Sequence, residues 1–302
     1  MEKMNNKENN ILLSIVIPFH NRVNLLKKTI NSIKPFLNSK YEIVLVDDGS
    51  KDNAYLELSD YITDNILYFK IKNAERGYAR NYGAFKANGT YLNFFDSDDL
   101  ALKNHLSSFE AYIKKNQHQN IFCNSYFVKN NYKNTKKKVL LNGILNKRIF
   151  NHNILSCNSV FIKKEFFNKY KFCEDKNLSG SEDWDLWLRI SCDEIILGNP
   201  YFSSELIEHD LRSTRNQDVE KMLLRINTLH NRIITKQNIN LKSNFKIVLS
   251  EIYSFKSLIL SKVLKKKLIS LSYLIYSIYL RPSRIYEKRT IVILTKIIFS
   301  II

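Results

Sequence analysis

Glycine and proline are scarce in this 302-residue chain, with seven and four copies, which argues against a low-complexity or disordered polymer. Cysteine is equally sparse: Cys123, Cys157, Cys173 and Cys192 form no C-x-x-C pair, so a zinc-ribbon or dithiol redox motif is excluded. They read as reduced packing thiols. The first ten residues, MEKMNNKENN, lack the apolar stretch of a secretory signal, which leads us to expect a cytosolic protein. A long apolar run is missing too. From Lys221 onward the longest uncharged stretch, Leu268 to Leu280, has thirteen residues, whereas crossing hydrocarbon takes about 20. No internal repeat is present.

Acidic residues are what the C-terminal part lacks. From Lys221 to Ile302 there are sixteen Lys or Arg against Glu251 and Glu287, a balance of +14 out of the chain's +18. Such a region suits nucleic acid or an anionic membrane, and the intervening residues discriminate. They are rich in Leu, Ile and Tyr, as in KLISLSYLIYSIYLRP and TIVILTKIIFSII, which serve nucleic acid poorly. Lysines flanking an apolar run favour anchoring in the plane of an anionic membrane surface. The other reading is a pair of core helices with solvated Lys faces.

The first hundred residues alternate between strand and helix patterns. LLSIVIPF, YEIVLVDD, ILYFKI and TYLNFF read as buried strands. NRVNLLKKTINSIKPFL, with Asn21 as cap, DNAYLELSDYI and RGYARNYGAFKANG read as helices between them. Right-handed crossovers then give a mostly parallel sheet with helices on both faces and a ligand crevice beyond the carboxyl ends of the strands. Three strands end in polar clusters, HNR, DDGS and DSDD, which should meet there. KNNYKNTKKK (129–138) reads as an exposed loop or hairpin connection.

Asp96, Asp98 and Asp99 crowd three carboxylates into four positions. Like charges this close need a cation or strong donors, and oxygen clusters of this kind suit Mg²⁺ or Mn²⁺ carrying a diphosphate. Asp96 or Ser97 capping a following helix is the alternative. VDDGS can be an ordinary Asp-Gly turn in which Ser50 caps the next helix. In SGSEDWDLWLRI, Ser179 and Glu182 have capping-box spacing, and Trp184, Trp187 and Leu188 share one helical face. Glu182, Asp183 and Asp185 can simply complement that helix's N-terminus.

Four segments together resemble glycosyltransferase family 2, the inverting GT-A enzymes of bacterial surface-glycan type: SIVIPFHNR (14–22), EIVLVDDGSKDN (42–53), ARNYGAFKANGTYLNFFDSDD (79–99) and SGSEDWDLWLRI (179–190). The resemblance covers residues 12–215. It implies that Pro18, Phe19 and Asn21 line a nucleotide pocket and that Asp47 and Asp48 meet base and ribose. Arg80 then faces the nucleotide sugar, or pairs with Asp96 or Asp48, and Arg76 has the same options. Asp96 is carried over to ribose or sugar hydroxyls, Asp98 to the metal, and Asp99 as an alternative ligand. Asp183 matches the catalytic base, with Glu182 on acceptor or donor sugar. His209 is a further ligand, a phosphate contact or a structural histidine; Arg212 or Arg215 can close over the donor. Asn158 and Ser159 fall on the acceptor side.

The expected organisation is therefore a disordered 1–11 and a GT-A domain over 12–220, with a nucleotide half (12–100) and an acceptor half (101–220). A helical, basic, membrane-associating region follows over 221–302. The implied activity is metal-dependent transfer, with Mn²⁺ or Mg²⁺, of a hexose or N-acetylhexosamine from a nucleotide sugar, UDP-linked by the uracil-compatible Asp48. The acceptor would be a membrane-associated glycan such as a lipid-linked oligosaccharide, lipooligosaccharide or capsule precursor. The enzyme would sit peripherally on the inner face of the cytoplasmic membrane, without nucleic acid. A polyprenyl-phosphate acceptor is the rival within the family; a non-catalytic membrane-surface module on the same fold is the rival outside it.

Overall fold

The computed structural model describes residues 11–209, 218–235, 241 and 244–298. The chain divides into two compact units: Met1–Leu145, Leu155–Glu174 and Ile195–His209 form the first, and Asn146–Ile154, Asp175–Glu194 and Asp210–Ile302 the second. The second unit thus draws in two segments well before residue 220. Arg212 and Arg215 lie outside the described residues.

The first unit holds the whole sheet. Its strands are β1 (Leu13–Phe19), β2 (Tyr41–Asp48), β3 (Ile66–Ile71), β4 (Tyr91–Phe94), β5 (Leu100–Ala101), β6 (Ile121–Asn130), β7 (Thr135–Val139), β8 (Gly143–Ile144), β9 (Val160–Lys163) and β10 (Leu197–Glu208). The order is β3-β2-β1-β4-β9-β6-β10-β5, with β7 on β6 and β8 on β10. β3, β2, β1 and β4 are all parallel, as the alternating pattern requires. The expectation of a mostly parallel sheet stops there. β9 runs antiparallel to both β4 and β6, and β5 and β8 antiparallel to β10; only β6 and β10 pair in parallel. The reason is local: β6 and β7 form a hairpin through the Lys- and Asn-rich connection, so no crossover helix separates them.

The helices of this unit are α1 (Val23–Ile33), α2 (Ala54–Glu57), α3 (Arg76–Lys86), α4 (His105–Lys115) and α6 (Lys164–Tyr170). Strand periodicity sends Leu13, Ile15, Ile17 and Phe19 into one cluster with Leu26 and Ile30 of α1 and Phe109 of α4. Val16 and Val46 point the other way, against α3. Gly83 of α3 permits that approach, since a Cβ there would lie 2.3 Å from Val16 Cγ1. Helices therefore cover both faces of β1. Two local expectations are not met in full: Asn21 is not a helix cap but sits at φ +49 one residue before Arg22, the N-cap of α1, and DNAYLELSDYI forms the single turn of α2 followed by a 3₁₀ turn over Ser59–Tyr61 rather than one continuous helix.

The second unit is helical: α5 (Asn146–Asn151), α7 (Glu182–Asp193), α8 (Val219–Ile234), α9 (Phe245–Leu260), α10 (Lys267–Leu280) and α11 (Lys288–Ile298). Serines join α9 to α10 by hydrogen bonds beside an apolar cluster of Leu258, Leu271 and Leu274. Ser250 and Ser277 each donate to the other's carbonyl at 2.7 Å, and Ser257 and Ser270 do the same at 2.7 and 2.8 Å. The pairing makes the helices antiparallel and brings their backbones close, a device of apolar surroundings where small residues set the approach. Glu251, fully buried on α9, takes Arg284 at 2.8 Å, Arg289 at 2.7 Å and His152 at 2.7 Å. Among the described residues no helix is long and apolar enough to cross a membrane.

Candidate active site

β1 runs between β2 and β4, and the chain returns across it after β3. The strand order therefore reverses at β1 and β4, and a crevice opens beyond their carboxyl ends. The three polar clusters do converge there. Asn21 donates its N–H to Ser50 Oγ (2.9 Å) and accepts from the Lys51 N–H (2.8 Å), tying the turn after β1 to the turn after β2. His20 Nδ1 reaches the Asp48 carbonyl at 2.8 Å. Pro18 and Phe19 end β1 beside them, Pro18 half-buried and Phe19 buried.

The two β2 carboxylates differ in use. Asp47 is fully buried and accepts from the Ser50 N–H (2.7 Å) and the Tyr68 hydroxyl (2.6 Å), so it shapes the turn. Asp48, 7% exposed, accepts from the Ala74 N–H at 2.7 Å. Burial pushes the Asp48 carboxyl above its ordinary range, against the lowering influence of the Ala74 N–H and of His20. Gly49 lies between the acids and Ser50 at φ +74, where a Cβ would come within 2.8 Å of Asn73 N. That residue must be glycine.

The DSDD turn assigns its three carboxylates to three different partners. Asp96 pairs with Arg80 at 2.9 Å, the salt bridge allowed for from the sequence. Arg80 is buried, and its guanidinium stacks over Phe172 at 5.1 Å, which fixes its aim. Asp99 is fully buried; Asn158 Nδ2 donates to its Oδ2 and the Ile207 N–H to its Oδ1, both at 2.7 Å. Asn158 also accepts from the Asp96 N–H at 2.7 Å, so one amide clamps both ends of the turn. Asp98 turns its carboxylate to His209, just past the end of β10, with its Oδ2 3.1 Å from His209 Nε2. Arg22 Nη1 approaches the same oxygen, also at 3.1 Å. Arg22 follows Asn21 directly in HNR, and its place on Asp98 was missed from sequence.

In the second unit, α7 begins at Glu182 behind Ser181, so the Ser179–Glu182 capping box does not form. Gly180, at φ +91, turns the chain too tightly for it, and the buried Glu182 carboxylate reaches back to the Gly180 N–H. Asp185 is fully buried between Arg189 Nε (2.9 Å) and Arg232 Nε (2.7 Å). Asp183 is the accessible acid of the three. Its Oδ2 accepts from Asn153 Nδ2 at 3.0 Å and its Oδ1 from the Trp184 N–H at 2.7 Å, and both Trp184 and Trp187 are buried.

Among the described residues two groups stand out for metal-ligand chemistry. His152, Glu251 and Glu287 hold ligand atoms within 4.8 Å of one another, a set able by type to coordinate a divalent ion. Its carboxylates, however, are engaged by Arg284 and Arg289 on Glu251 and by Arg284 and Arg281 on Glu287. Those guanidiniums neutralise the cluster as an ion-pair network. Asp98 and His209 form the second group. An oxygen and an imidazole nitrogen 3.1 Å apart match the roughly 3 Å edge between neighbouring ligands of an octahedral ion with bonds of about 2.1 Å. The donor set fits Mg²⁺ or Mn²⁺ completed by phosphate oxygens and water.

A parallel half-sheet that reverses its order at an acidic turn, with helices on both faces, matches the parallel half of a GT-A fold. Staphylococcus aureus TarS, in a crystal structure of residues 1–349 with UDP-GlcNAc, shares it at a TM-score of 0.64 and 17% identity, over 90% of this chain and 91% of that one. The sequence profile described as Glycosyl transferase family 2 matches residues 14–171, more than half of the chain, and the chain belongs to that family. An uncharacterised glycosyltransferase of Rickettsia conorii is 30% identical over 196 residues, 63% of this chain and 32% of the relative. The chain thus spans about a third of that relative's length. The Escherichia coli enzyme WfgD, a UDP-Glc:alpha-D-GlcNAc-diphosphoundecaprenol beta-1,3-glucosyltransferase, is 26% identical over 186 residues, 61% of this chain and 72% of the enzyme.

Proposed function

We propose that this chain is an inverting, metal-dependent glycosyltransferase that moves a hexose or N-acetylhexosamine from a UDP-linked donor to a membrane-associated glycan acceptor. One observation carries the reading: Asp98, His209 and Arg22 converge at the switch point beside the fixed Arg80–Asp96 pair. A carboxylate, an imidazole and two guanidiniums on one crevice are the groups a diphosphate with a divalent ion calls for. The E. coli relative's UDP-Glc donor and diphosphoundecaprenol-linked acceptor, and the UDP-GlcNAc in the TarS structure, support the donor and acceptor classes.

Asp98 and His209 would hold the ion, which when bound offsets charge developing on the leaving diphosphate. Asp48 would accept an imide N–H, and Asn21 and Phe19 would border the base. Arg80 orients Asp96 toward ribose or sugar hydroxyls. Asp183 is assigned as the base that takes the proton from the acceptor hydroxyl as it bonds, because Glu182 and Asp185 are buried and engaged. A phosphate nucleophile would need no such base, so the hydroxyl acceptor is favoured over polyprenyl phosphate.

An anionic bilayer on the cytoplasmic face is proposed as the partner of α10. That helix turns Ser270, Leu274 and Ser277 inward and exposes Leu268 (83%), Ile275 (59%) and Tyr279 (76%), an inversion that suits apolar surroundings. Lys262, Lys265 and Lys266, all exposed, precede it. The functional test is a panel of nucleotide sugars with Mn²⁺, scored by donor hydrolysis and thermal stabilisation. A UDP-sugar should stand out; indifference to every nucleotide sugar would overturn the reading.

A further inference from the structure

We infer that Arg22 is a resident counter-cation of Asp98 that keeps the metal from binding alone and makes metal and diphosphate bind together. The inference rests on the reading of Asp98 and His209 as metal ligands. The Asp98 side chain is only 6% exposed, and its Oδ2 lies 3.1 Å from both Arg22 Nη1 and His209 Nε2. A carboxylate that already carries a guanidinium is neutralised, so an ion arriving alone gains little from it. Arg22 and the ion cannot share that oxygen without like-charge repulsion in a partly buried site.

The two arginines of the crevice are built differently. Arg80 is buried, stacked on Phe172 and paired with Asp96, which leaves it one position. Arg22 is 25% exposed at the N-cap of α1, next to Asn21 in the left-handed region, and lies on no aromatic ring among the described residues. It can swing without breaking a core contact. A diphosphate supplies the charge that Arg22 needs once the ion takes Asp98 from it. Binding of either partner therefore favours the other, a reciprocal coupling.

The test is calorimetric titration of the full chain with Mn²⁺ alone, UDP alone and the two together, in wild type, Arg22→Met and Arg22→Lys. Arg22→Met should bind Mn²⁺ alone about tenfold more tightly than wild type, and the factor by which Mn²⁺ strengthens UDP binding should fall about tenfold. Arg22→Lys, retaining a cation, should stay near wild type for Mn²⁺ alone. If Arg22→Met binds Mn²⁺ alone no better, or loses Mn²⁺ and UDP affinity together with the coupling unchanged, Arg22 is a plain structural ion pair and the inference falls. If wild type binds neither Mn²⁺ nor UDP in any combination, the functional reading falls with it.

Discussion

The Asp99 carboxylate receives the backbone N–H of Ile207 at 2.7 Å, which joins the turn after β4 to the strand that ends beside His209. Its other oxygen takes Asn158. Asp99 therefore acts as a strut between the turn that carries Asp98 and the strand that ends beside His209.

Asp99→Ala should lower unfolding free energy by about 2–4 kcal/mol, because it leaves the Ile207 N–H and the Asn158 amide buried without an acceptor. Asp98→Ala, at the crevice edge, should stay within about 1 kcal/mol of wild type while losing Mn²⁺ affinity. Urea denaturation of both variants, paired with Mn²⁺ titration, separates strut from ligand. Equal stability losses would contradict the division.

Much of this site was legible in the sequence. The β1, β2, β3 and β4 patterns and the HNR, DDGS and DSDD ends set the crevice, because continuous apolar runs ending in charge leave little choice for a buried parallel strand. What stayed hidden depends on tertiary reach. Nothing near Arg22 announces Asp98, which lies 76 positions away. Likewise the α9–α10 serine pairs look like interruptions of an apolar helix until the partner helix is present.

Asp183→Asn should reduce turnover by roughly 10²–10⁴-fold through loss of the base, with affinity for the UDP-sugar within about twofold. Asn153→Ala, which removes the amide on Asp183 Oδ2, should cost less than Asp183→Asn. Rate and equilibrium binding measured together check both. Undiminished transfer by Asp183→Asn would favour an acceptor that needs no deprotonation.

Acid should weaken the helical unit through Glu251. Burial alone would raise this carboxyl, but the contacts from His152, Arg289 and Arg284 prevail and hold it below its ordinary value of 4.5. A depressed folded-state value means that the contribution is present above the ordinary range and disappears as pH falls through the folded value. Glu251→Gln should be less stable at neutral pH by about 3–5 kcal/mol, since the fully buried Arg284 then keeps only the Glu287 carboxylate. The gap between the two proteins should close below pH 4.5. Denaturation curves from acid to neutral pH read it directly.

The exposed stripe of α10 predicts that Leu268→Ser, Ile275→Ser and Tyr279→Ser combined reduce co-sedimentation with anionic vesicles by about tenfold or more. Stability should change little, because the three side chains face outward. Neutral vesicles should bind wild type more weakly, and added salt should weaken binding to anionic ones. Concentration-dependent self-association abolished by the same substitutions, without vesicle binding, would assign the stripe to a second copy instead.

The central claim is that Asp98 anchors a divalent ion that in turn holds a sugar nucleotide's diphosphate. Titrating the UDP-sugar selected by the donor panel into wild type and Asp98→Ala, each with Mn²⁺ and after chelation, tests it most directly. Wild type should bind strongly only with Mn²⁺, and Asp98→Ala should resemble chelated wild type. Equal affinity in all four titrations would contradict it.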